Sequence, residues 1–108
     1  VHAGLIPGVT LEDQTVETMV TLRTVALVEE ENGSEEEVPW AQAWKGPEFV
    51  IFGHDAKQGL QDSAPHALGL DTGCCYGKKL TGVILPDRQL VSVDAQKVYS
   101  PIDVAKKA

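Results

Sequence analysis

The segment EFVIFGH, residues 48–54, sets four apolar side chains in consecutive positions and then breaks on glycine and histidine. β-Branched and aromatic residues in so short a run, with Gly46-Pro47 before it and Gly53 after it, predict a buried strand running into a tight turn. A histidine at that point stands on a rigid frame and enters an open loop. Val1-His2-Ala3-Gly4 has a similar local context, and Val1 in place of a methionine is expected to be the cut end of a strand from a longer polypeptide.

Pro7-Gly8 punctuates the chain after His2, and Thr10 occupies an N-cap position with Glu12 and Asp13 in the following turn. No Gly or Pro follows until past Val28, and Leu11, Val16, Met19, Val20 and Arg23 fall near helical spacing, so an amphipathic helix is predicted from Leu11 to about Val28. Trp40 and Trp44 stand four apart, and one helical turn would bring both indoles to one face of the core. Ala67 to Leu70 is a short apolar piece ending at Asp71-Thr72-Gly73. Leu80–Leu85 and Leu90–Val93 read as two strands of a hairpin around Pro86-Asp87-Arg88-Gln89. The tail from Ser100 to Ala108 is expected to be a frayed helix. The pattern is α/β, with a mixed sheet that is largely antiparallel in the second half.

At 108 residues the chain is one small domain or part of a larger one. Its net charge of -7 is local: Glu29, Glu30, Glu31, Glu35, Glu36 and Glu37 hold six of the sixteen acids, and elsewhere ten acids face nine bases. The run reads as a solvated loop around Asn32-Gly33-Ser34 rather than a docking site for a basic partner. Basic residues are scattered, which leaves no nucleic-acid footprint, and no apolar run approaches the ~20 residues of a membrane span. Cys74 and Cys75 are adjacent and cannot easily bridge each other, so reduced thiols and a cytoplasmic setting are expected.

Imidazoles placed at strand ends suit a metal site facing a cleft, but for two histidines 52 residues apart a hydrogen-bonded buried or surface role is the usual outcome. His66, beside Pro65, reads as an exposed loop residue. Asp71 in Asp71-Thr72-Gly73 reads as a turn residue bonding its own backbone; an aspartic-protease role would need a second such motif, and none is present. The glycines around residues 53–59 and 73–77 lack the spacing of a phosphate-binding loop. No Ser-His-Asp arrangement is defensible, and nothing in the sequence activates either cysteine.

Three stretches, HAGLIPGVTLEDQ, PWAQAWKGPEFVIFGHDAKQGLQ and ALGLDTGCCYGKKLTGVILPDRQLVSV, taken in this order, resemble the C-terminal part of calcineurin-like metallophosphoesterases of the phosphoprotein-phosphatase superfamily. The ApaH-like phosphatases, kin of bacterial diadenosine tetraphosphatases, are the nearest branch. The resemblance runs from His2 to roughly Asp94. It implies that residues 1–108 form the C-terminal portion of a single helix-flanked β-sandwich domain. It further implies a parent enzyme with two divalent ions, Mn, Fe or Zn, and a water that attacks phosphorus in line. His2 and His54 match the family positions that ligate the second metal. Arg23, in TLRTV, and Tyr76 match positions near the cleft and are candidate substrate contacts, although a surface ion pair is the ordinary fate of such an arginine. The family's GDxHG, GDxxDRG and GNHE motifs do not occur in these residues, so the piece is expected to be inactive alone. The implied substrate is a phosphorylated protein or a nucleotide polyphosphate. The competing reading is a truncated, non-catalytic scaffold serving as a binding or regulatory module.

Overall fold

The computed structural model describes residues 1–28 and 33–101; Glu29 to Asn32 of the acidic run, and the expected tail helix from Ile102 onward, lie outside the described residues. Among the described residues two short helices, α1 (Val16–Thr21) and α2 (Trp40–Ala43), accompany seven strands. The strands are β1 (Thr24–Val28), β2 (Glu35–Pro39), β3 (Val50–Phe52), β4 (Gln61–Ser63), β5 (Ala67–Gly69), β6 (Lys79–Ile84) and β7 (Gln89–Asp94). β1 and β2 form an antiparallel hairpin, as do β6 and β7. A three-stranded sheet in the order β3-β5-β4 lies between them in sequence, with β3 and β5 parallel and β4 antiparallel to β5. The α/β class and the antiparallel bias of the second half thus hold.

The single helix expected over Leu11 to Val28 is instead a 3-10 turn at Leu11–Asp13, then α1, then β1. Gln14 divides the first two: its side-chain amide pairs with both main-chain groups of Ile6 and donates to the Val9 carbonyl, which fixes the preceding loop. Thr15 caps α1 by accepting from the Thr18 amide at 3.2 Å. α1 stops at Leu22, where the backbone turns extended. The β-branched run that follows then pairs as a strand, Thr24 opposite Pro39 and Leu27 opposite Glu36. The acidic run is accordingly not all loop. Glu35, Glu36 and Glu37 lie exposed along β2 while Val38 on the same strand is buried, and charge on a two-stranded ribbon discourages further edge pairing.

The core gathers Leu5, Trp40, Ala41, Trp44, Val50, Phe52 and Ala67. Trp40 is its anchor, 1% exposed, with ring centroids 5.9 Å from Trp44 and 4.7 Å from Phe52. Its indole N–H donates to the Ala3 carbonyl at 2.9 Å, so the polar edge of a buried ring is satisfied by the segment that bears His2. A Cβ on Gly4 would lie 2.4 Å from that same nitrogen, which is why the segment can pass so close only as glycine.

Candidate active site

Residues 1–3 lie between β3 and α1, bonded to both. The Val1 nitrogen donates to the Ile51 carbonyl (3.0 Å), Gly53 N–H donates to the His2 carbonyl (2.8 Å), and Ala3 N–H donates to the Met19 carbonyl at the end of α1 (2.8 Å). These bonds set His2 beside the C-terminal end of β3. β5 runs parallel to β3, and the chain leaving it is held to the same strand by Leu70 N–H donating to the Phe52 carbonyl at 2.9 Å. The carboxyl ends of two adjacent parallel strands thus deliver His54 and Asp71 to one edge, the position at which open α/β sheets present ligand-binding groups.

His54 occupies an unusual backbone state. Its φ of 73° lies in the left-handed region, and Asp55 N–H donates across it to the Gly53 carbonyl at 2.8 Å, closing a γ-turn centred on the histidine. Such a conformation in a residue with a Cβ costs on the order of 1–3 kcal/mol and is held only by its surroundings. It returns the ring toward His2, the two imidazole centroids standing 5.0 Å apart at 54°. His54 Nε2 is buried and has no hydrogen-bond partner among the described residues. Burial, then the Arg23 guanidinium, then His2 hold the His54 imidazole below its ordinary pKa, against the opposing pull of Asp55 and Asp71. Its lone pair is therefore available at neutral pH.

Arg23 follows the C-cap of α1, with its carbonyl accepting from Trp40 N–H at 3.1 Å, and its Nε lies 3.8 Å from Asp55 Oδ1. Asp55 is buried at 7% exposure, while the Arg23 side chain is 55% exposed. Asp71 accepts from Gly73 N–H through Oδ1 at 3.1 Å, the self-bonded turn read from the sequence. The structure thus brings together His2, His54 and Arg23. Sequence reasoning missed Asp55, although its place immediately after His54 was a usable signal. Tyr76 stands on the 3-10 turn Cys74–Tyr76 beyond Asp71 and has no bond, ion pair or ring contact with the histidine pair. His66 is not an exposed loop residue: it is half-buried against Gly46, where a Cβ would lie 2.6 Å from its Nδ1.

Among the described residues no group of three or more His, Cys, Asp or Glu converges as a complete metal cage. The orphaned Nε2 of His54, with a second imidazole whose ring centroid lies 5.0 Å from its own, still fits a partial donor set. An open groove of about 780 Å3 lies elsewhere, lined by Gly8, Leu11, Trp44 and Lys45 among others, and includes none of these groups.

The mixed α/β frame fits the fold of a calcineurin-like phosphoesterase, and the comparisons with known proteins point the same way. The chain is a homologue of part of the bis(5'-nucleosyl)-tetraphosphatases within that superfamily. It is 44% identical over 62 residues to a symmetrical bis(5'-nucleosyl)-tetraphosphatase of Coxiella burnetii, covering 54% of this chain and 21% of that protein. It is 30% identical over 101 residues to the asymmetrical bis(5'-nucleosyl)-tetraphosphatase PrpE of Bacillus cereus, covering 93% of this chain and 41% of that one. A crystal structure provisionally described as a diadenosine tetraphosphatase superposes with a TM-score of 0.74 at 35% identity, over 88% of this chain and 45% of that chain. The chain therefore spans less than half the length of the relatives it matches. No family model matches it.

Proposed function

We propose that the protein bearing these residues is a metal-dependent phosphoanhydride hydrolase acting on dinucleoside polyphosphates, and that His2 and His54 are ligands to one of two divalent ions, Mn, Fe or Zn. The observation that carries this reading is the buried, unpartnered His54 Nε2 aimed beside a second imidazole from an adjoining segment. Leaving a buried polar atom unpaired costs about 1–3 kcal/mol, a cost that ligation would remove. When bound, such an ion polarises a phosphate oxygen and readies water for attack on phosphorus.

This chain's residues would do three things. His2 and His54 fix two coordination positions on a frame tied down by β3 and α1. Arg23 offers a guanidinium to the polyphosphate, planar and permanently charged as phosphate recognition favours. Asp71 contributes a negative field from the end of β5. The remaining donors come from sequence outside these 108 residues, so the isolated piece is inactive. Nucleotide polyphosphates are favoured over phosphoproteins because the relatives reported above are named for tetraphosphate hydrolysis. Two unbridged cysteines accord with a reducing, cytoplasmic setting, and no described helix is long and apolar enough to cross a membrane.

The test is Mn-stimulated hydrolysis of diadenosine tetraphosphate by the full-length protein and by His54→Ala, with bound metal measured by mass spectrometry. The expected result is a loss of at least about 100-fold in kcat together with reduced metal content, as for removal of a ligand to a catalytic ion. Equal rates and equal metal content would overturn the assignment of His54. A full-length wild type without metal-stimulated turnover would favour the non-catalytic scaffold.

A further inference from the structure

Asp55 lies next to His54 in sequence yet points its carboxylate to Arg23, the residue proposed above to meet phosphate. The two side chains differ sharply in exposure, 8% for the acid against 55% for the base, so the pair has one anchored end and one presented end. The contact is also directional. Nε approaches Asp55 Oδ1 at 3.8 Å, an ion-pair contact longer than a hydrogen bond. An arginine held through Nε keeps its two terminal nitrogens free in the planar fork that matches two phosphate oxygens. A long side chain left untethered in water would lose roughly 2 kcal/mol of rotamer freedom on binding such an anion, and holding it beforehand reduces that loss.

We infer that Asp55 is a positioning residue: it holds Arg23 through Nε so that the outer edge of the guanidinium faces the polyphosphate beside His2 and His54. The inference rests on the functional reading above. It assigns Asp55 no contact with substrate and no place among the metal ligands. The γ-turn at His54 is what allows both roles at one corner, since reversing the chain there sends imidazole and the following carboxylate to different neighbours.

A double-mutant cycle in the full-length protein tests it, with Asp55→Asn, Arg23→Ala and the combination assayed for kcat and KM on diadenosine tetraphosphate with Mn. Asp55→Asn keeps the shape and removes the charge. Alone it should raise KM roughly 3- to 10-fold with a smaller change in kcat, a coupling within the usual range for contacting charged residues. In the Arg23→Ala background it should change KM less than 2-fold. Calorimetric affinity for inorganic phosphate should weaken in parallel, and bound metal should equal that of wild type. Additive effects on KM, an unchanged KM in Asp55→Asn, or loss of metal from that variant would each overturn the positioning role while leaving the hydrolase reading intact. A wild type that binds metal but does not hydrolyse the dinucleotide would defeat the functional reading, and the inference with it.

Discussion

The core around Trp40 and the β6–β7 hairpin use similar apolar residues to opposite ends. Around Trp40, side chains from residues 3–5, α2, β3 and β5 close on one another, and Trp40, Ala41 and Ala67 are almost wholly inaccessible. On the hairpin, Leu80 faces Val93 and Gly82 faces Val91 across the ribbon, and Leu80 and Val93 remain 59% and 62% exposed. The hairpin is held to the rest mainly by polar bonds at its base and tip. Thr72 Oγ1 donates to the Lys79 carbonyl at 2.7 Å, Arg88 donates to the Pro65 carbonyl at 2.8 Å, and the Arg88 guanidinium sits 3.5 Å from the centroid of the Phe49 ring. Burial scales with apolar area removed from water, so stability should be concentrated in the first region and sparse in the second. The candidate site draws on the rigid region, since the His2 and Arg23 carbonyls accept from Gly53 and Trp40 N–H and His54 directly follows Gly53 beyond β3.

The strongest way to break that contrast is Trp40→Ala. Removing the indole empties the centre of the core and leaves the Ala3 carbonyl without its donor, so the expected loss is about 3–5 kcal/mol in chemical denaturation of the full-length protein. Because Ala3 adjoins His2, metal affinity should fall in the same variant even under conditions where it stays folded. A loss below about 1 kcal/mol would mean the tryptophan is not the anchor its burial implies. The counterpart on the hairpin is Leu80→Ser, expected to change stability by no more than about 0.5 kcal/mol, as for an exposed position. A cost near 2 kcal/mol would show instead that this face is covered in the intact protein.

The same contrast explains what was legible in the sequence. β3 and the Trp40–Trp44 pair were readable because each has one solution: a short, fully apolar run bounded by glycine, and two indoles one turn apart. The β6–β7 hairpin was readable from its turn residues. Residues 11–28 were not, since an apolar spacing near 3.6 over Val16 to Val20 continues into Thr24-Val25, and only pairing with the Glu35–Pro39 strand decides that the latter is extended. The acidic side chains concealed that strand because its solvent face is charged throughout and only Val38 turns inward. At the site, the two histidines were visible as strand-end residues, but Asp55 was passed over although it directly follows His54. Its burial accompanies a left-handed backbone at His54, a state uncommon for residues with a Cβ.

The smallest expected effect sharpens the comparison through pH rather than magnitude. Lys79 Nζ donates to Asp94 Oδ1 at 2.7 Å across the open end of the hairpin, and that bond, with the lysine charge, holds the Asp94 carboxyl below its ordinary pKa of 3.8. A carboxyl whose pKa is depressed on folding stabilises the folded state above its unfolded pKa and loses that contribution as pH falls through the folded value. The deficit of Asp94→Asn relative to wild type should therefore be present at pH 7, begin to shrink as pH falls past about 3.8, and vanish below the depressed value. Raising the salt to 1 M should diminish it at pH 7, because both partners are exposed and screened. The Trp40→Ala deficit should respond to neither change, because it comes from lost packing. Paired thermal melts at pH 7 and pH 3 measure both, and a salt-insensitive Asp94 deficit that persists at pH 3 would mean the base of the hairpin is held by packing after all.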